Sequence, residues 1–141
     1  MSAGVQVILL GASGDLARRK LLPALASQFA RGQLDESSRV IAVARRPMDK
    51  AAMAEEAAGW LSEELRHGVD KLMANMSFVQ ADVGDAATLV GLRDHLDALP
   101  GGQDAGRLVY LALGPSLFLP AVRNLVDSGV LKRCVDPSKP F

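Results

Sequence analysis

Near its start the chain runs Val5-Gln6-Val7-Ile8-Leu9-Leu10 and then turns abruptly small: Gly11-Ala12-Ser13-Gly14-Asp15-Leu16-Ala17. The apolar run predicts a buried strand, and the small residues predict a tight turn into a helix. A helix N-terminus leaves backbone N–H groups unpaired and carries the positive end of the macrodipole, so this turn can seat a pyrophosphate. Gly11 would supply the turn, Gly14 the close approach of backbone to phosphate, and Ala17 a small face for helix against strand. The spacing G-x-x-G-x-x-A is a relaxed form of G-x-G-x-x-G, strengthened by a second predicted strand over residues 39–44 that completes a βαβ unit. An ordinary strand-to-helix turn is the plainer alternative. A P-loop is excluded, because no Gly-Lys-Ser or Gly-Lys-Thr closes the turn.

Extended and helical patterns alternate along the rest of the chain, which predicts a Rossmann-like, doubly wound α/β domain of three layers, with about five parallel strands. Strands are expected over 5–10, 39–44, 77–80, 108–113 and 130–135. Helices are expected over about 15–31, 50–66, 85–99 and 116–128, with Asp15 a cap or first-turn acid and Met53, Ala57, Trp60 and Leu61 as the apolar positions of the second. Pro23 must kink or restart the first helix. In such a sheet, ligands settle beyond the carboxyl ends of the strands.

With 141 residues, 49% apolar and 23% charged, the chain has the size of one domain with one core, residues 1–141, and no room for a second. Its 16 basic and 16 acidic side chains cancel, so neither nucleic acid nor an anionic membrane is an expected partner. The single Cys134 can form no internal disulfide, fits a reducing compartment, and reads as a buried structural thiol. No Cys cluster for zinc exists, and no targeting or spanning segment is evident. A cytoplasmic protein is expected.

The strand ends carry the candidate chemistry. After the second strand an NAD-specific domain offers Asp or Glu to the ribose 2′-hydroxyl; here stand Arg45-Arg46, whose planar forks suit a 2′-phosphate and favour NADP. Two solvated loop arginines are the alternative. Asp82-Val83 follows the third strand, where Asp82 could cap the next helix. Tyr110 on the fourth strand could be core, its ring packing under a helix. His67 and His95 read as solvated surface residues.

The decapeptide from Gly11 to Lys20 resembles the start of the glucose-6-phosphate dehydrogenase family, with its G-A/T-S/T-G-D-L-A and following basic residues. Leu21-Leu22-Pro23, Val43-Ala44-Arg45-Arg46, the stretch from Tyr110 to Phe118 and Lys139-Pro140-Phe141 resemble further family segments in the same order. The last departs from E-K-P-F-G, since Asp136-Pro137-Ser138 precede it. The resemblance implies the NADP-binding domain of an oxidoreductase that oxidises glucose 6-phosphate to 6-phosphogluconolactone in the pentose phosphate pathway. It implies cofactor contacts from Gly11, Ala12, Ser13, Gly14, Asp15, Leu16, Ala17, Arg18, Arg45, Arg46, Asp82, Val83, Tyr110 and Lys139, and substrate contact from Lys139. The family is homo-oligomeric, but its catalytic histidine and its dimer-forming C-terminal α+β domain have no counterpart before Phe141, and the 141 residues alone are expected to be inactive. The alternative is a non-catalytic NADP-binding or partner-binding module. A short-chain dehydrogenase is disfavoured because Gly114, not lysine, stands four residues past Tyr110.

Overall fold

A computed structural model describes residues 4–132. Four strands, β1 (Val5–Leu10), β2 (Arg39–Ala44), β3 (Met76–Gln80) and β4 (Gly106–Leu111), form one parallel sheet in the order β3-β2-β1-β4. The order reverses between β1 and β4, so the loops leaving these neighbours diverge to opposite faces and open a crevice at their carboxyl ends.

Helices α1 (Leu22–Ala30), α2 (Lys50–Gly59) and α3 (His67–Ala74) cover one face, and α4 (Ala86–Ala98) and α5 (Phe118–Asp127) the other. Alternation along each strand sorts the core into two layers. Val7 and Leu9 pack with Leu22 and Phe29 on the first face; Ile8 and Leu10 pack with Leu89, Leu92 and Leu125 on the second. Both halves of a strand such as β1 are buried, as its unbroken apolar run requires.

Several elements differ from expectation for tertiary reasons. The first helix begins at Asp15 and absorbs Pro23 by widening into a π-helical turn over Ala17–Leu21, where the Leu22 N–H reaches back to Ala17 O; α1 then restarts with Pro23 in its first turn. The helix expected over 50–66 ends at Gly59, and Trp60 is exposed rather than core. The chain turns there so that α3, unexpected from the sequence, can cross α1 at Gly68. A Cβ on Gly68 would sit 1.9 Å from Ala26 O. β4 starts and stops two residues before expectation, because its ladder closes where β1 ends, Leu10 opposite Leu111. Most of the fifth expected strand, 130–135, lies outside the described residues, as do Cys134 and Lys139-Pro140-Phe141; Val130 and Leu131 form a bend.

Among the described residues no helix is long and apolar enough to cross a membrane, and no group of three or more His, Cys, Asp or Glu could hold a metal ion.

Candidate functional site

A cleft of about 410 Å³ opens over the carboxyl ends of the sheet. All four strand ends contribute to it. Gly11, Ser13 and Gly14 come from the turn after β1, Arg45 and Arg46 follow β2, Asp82, Val83 and Gly84 follow β3, and Leu113, Gly114 and Leu117 follow β4.

The turn after β1 is held from both sides. Gly11 and Ala12 each donate an N–H to Val43 O at 3.1 Å, tying the turn to the end of β2. Gly11 has φ +80°, and a Cβ there would meet Ala112 O at 2.2 Å, so the turn also presses against the end of β4. Only glycine satisfies both demands. Gly14 donates to Gly11 O at 2.9 Å and accepts from Arg18 N at 3.1 Å. The N–H groups of Ser13, Asp15, Leu16 and Ala17 have no backbone acceptor among the described residues, and those of Ser13, Asp15 and Leu16 belong to exposed residues, leaving three open donors at the helix start. That is the donor set a pyrophosphate requires.

Arg45 and Arg46 are exposed at the cleft rim, and neither is ion-paired among the described residues. Gln80 at the end of β3 donates its amide to Arg45 O at 3.0 Å, holding the backbone from which Arg45 projects. Asp82 does not cap α4. Its Oδ1 accepts from Gly84 N at 2.8 Å in a tight Asx turn, while Asp85 caps α4 through Ala87 N at 3.0 Å. The side chain of Val83 is buried in the core of the α4–α5 face, so the cleft meets chiefly its backbone.

The remaining expected site residues lie around the cleft rather than in its lining. Ala12 and Ala17 are fully buried. Asp15 and Leu16 are exposed on the first helical turn, Asp15 as a first-turn acid 3.5 Å from Arg19 Nη1. Arg18 turns toward α2, 3.6 Å from Glu56. Tyr110 is not core: it is 43% exposed, on the α1 face of edge strand β4. Lys139 lies outside the described residues.

Neither histidine lines the cleft. His67 is exposed, its Nε2 3.3 Å from Ala30 O. His95 is half-buried and joined to Ser77 Oγ at 2.7 Å, not solvated as expected. Gly84 was not foreseen as a lining residue, and Leu113 and Leu117 were reached only through the resemblance carried by the Tyr110–Phe118 stretch. Nothing in their types distinguishes them, and only the folding of their loops brings them to the cleft.

A parallel sheet ordered β3-β2-β1-β4, helices on both faces and a cleft over a Gly-rich first turn define a dinucleotide-binding α/β domain of the Rossmann class. The family model described as glucose-6-phosphate dehydrogenase, NAD binding domain, matches residues 8–140, and this chain belongs to that family. It is 32% identical over 132 residues to glucose-6-phosphate 1-dehydrogenase of Rhizobium meliloti, covering 89% of this chain and 26% of that protein. It is 31% identical over 131 residues to glucose-6-phosphate 1-dehydrogenase of Mycolicibacterium smegmatis, covering 88% of this chain and 26% of that protein. The crystal structure of glucose-6-phosphate 1-dehydrogenase from Mycobacterium avium superposes with a TM-score of 0.76 at 27% identity, covering 94% of this chain and 29% of that one. The chain thus spans about a quarter of the length of these curated relatives.

Proposed function

We propose that the chain forms the NADP-binding part of a glucose-6-phosphate dehydrogenase. The observation that carries this reading is the closeness of two anion sites at one cleft: the exposed helix start after β1, where Ser13 lines the cleft and the N–H groups of Ser13, Asp15 and Leu16 have no backbone acceptor, and two arginines after β2 that form no ion pair among the described residues. A dinucleotide with a 2′-phosphate needs both.

In this reading the helix start at Asp15 holds the pyrophosphate through backbone donors, and the missing side chain at Gly14 lets it approach. Arg45 grips the 2′-phosphate with charge-assisted hydrogen bonds, Arg46 adds positive potential, and the adenine lies along the Asp82–Val83 loop. When bound, the nicotinamide accepts a hydride from C1 of the sugar. Lys139 contributes at the nicotinamide and sugar end, and Tyr110 stands beside the cofactor. No base is assigned among the described residues, since neither described histidine lines the cleft.

Titration of the wild type and Arg45→Ala with NADP and NAD tests the assignment. Loss of the charged hydrogen bonds weakens NADP by ~1.5–3 kcal/mol, about tenfold or more, and leaves NAD little changed. An equal loss for both cofactors, or none for either, overturns it.

A further inference from the structure

We propose that Asn124 is a positioning residue for the adenosine half of the dinucleotide. Its side chain ties α5, the helix that follows one wall of the cleft, to the Asp82–Gly84 loop that forms the other, a role that rests on the cofactor reading above. Asn124 lies on α5, the helix that leads away from the Gly114–Leu117 wall. Its Nδ2 donates to Val83 O at 2.7 Å, across 41 residues of sequence, in the opposite wall. The assignment of nitrogen toward Val83 is dictated by chemistry, because a backbone carbonyl only accepts.

The loop it grips is otherwise closed on itself. Thr88 Oγ1 accepts from Asp82 N at 2.9 Å, and Asp82 Oδ1 accepts from Gly84 N at 2.8 Å. These bonds fix the shape of the loop. Among the described residues Asn124 is the polar tie from this loop to α5, and it fixes where the loop sits relative to the β4 end. The Val83 side chain points into the core, so what faces a ligand here is backbone, whose position a side chain cannot adjust by changing rotamer. Asparagine is also a poor choice for a helix interior on propensity alone, and its neighbours Ala121 and Leu125 are the buried residues of α5. A tertiary partner explains its presence.

Gln80 provides the matching tie one strand over, to Arg45 O. Gln80 is exposed, whereas Asn124 is half-buried, so water replaces the first bond more readily than the second.

The test uses the full 141-residue chain with adenosine 2′,5′-bisphosphate and inorganic pyrophosphate as probes, alongside thermal melts. Asn124→Ala removes the donor, and Asn124→Asp sets a carboxylate against Val83 O. Both variants are expected to weaken adenosine 2′,5′-bisphosphate by about fivefold to tenfold, the scale of one partly buried hydrogen bond, and to leave pyrophosphate within about twofold. Equal weakening of both probes shows a general structural role and overturns the proposal. So does unchanged binding, and so does loss of a cooperative melt in both variants. If the wild type binds neither probe, the cofactor reading itself falls; if wild type and variants bind adenosine 2′,5′-bisphosphate alike, only the role of Asn124 falls.

Discussion

At the amino ends of the strands, Arg107 donates to Gln6 Oε1 and Val130 O at 2.9 Å each and pairs with Asp97, while Gln6 passes its own amide to Leu96 O at 2.9 Å. At the carboxyl ends, Arg45 and Arg46 stand exposed without an ion partner among the described residues, beside the N–H groups of exposed Ser13, Asp15 and Leu16, which have no backbone acceptor there. Both regions belong to the same sheet and carry the same kinds of group. At one end polar groups are buried and answered internally, which costs desolvation but locks β1, β4 and α4 together. At the other they are left to water, available to a ligand. Polar residues near the ends of a parallel sheet therefore serve stability or binding according to whether the fold supplies their partners.

The sharpest way to break this contrast is Arg107→Leu. With the Arg107 side chain 9% exposed and that of Asp97 28% exposed, removing the fork strands a carboxylate and the Gln6 carbonyl, and is expected to destabilise by about 3 kcal/mol. Urea unfolding measures that loss, and NADP affinity at temperatures where the variant is folded is expected to stay unchanged. A large change in affinity without loss of stability would reverse the roles of the two ends.

Gly14→Val is the converse. Gly14 lacks a positive φ, and a Cβ there would press on Gly11 O alone, at 3.1 Å, asking a shift of a few tenths of an ångström while the side chain stands in the phosphate path. NADP binding is expected to weaken by about a hundredfold or more, ~2.7 kcal/mol, with the circular dichroism spectrum retained. Retained binding would put the phosphates elsewhere.

Gln80→Ala sharpens the comparison at its smallest scale. An exposed hydrogen bond contributes ~0.5 kcal/mol, so NADP is expected to weaken about twofold, with no change in the melting temperature beyond a degree or two. A tenfold loss would mean that the Arg45 backbone has no other restraint.

Much of this architecture was legible residue by residue. The strand at Val5–Leu10, the glycine turn and the strand at Arg39–Ala44 follow from hydrophobic runs bounded by small residues, because a strand buried on both faces has no polar alternation to obscure it. The placement of Arg45 and Arg46 at a strand end followed from the same pattern. Boundaries set by partners were not legible: β4 ends where β1 ends, and α2 stops at Gly59 so that α3 can pack on α1. Arg18 belongs to this class as well. The motif places it beside the phosphate turn, and the fold engages it with Glu56 on α2.

The sequence by itself determined the class of fold, the first βαβ unit and the kinds of group offered at its strand ends, since these depend on local propensity and on apolar spacing over a few residues. Tertiary structure alone decided which polar groups were answered. Asn124 reaching Val83, Gln80 reaching Arg45, His95 reaching Ser77 and Arg107 reaching Asp97 join residues on different elements. The physical reason is range: a strand or a turn is specified by its neighbours in the chain, but a side-chain hydrogen bond exists only when packing brings donor and acceptor within about 3 Å.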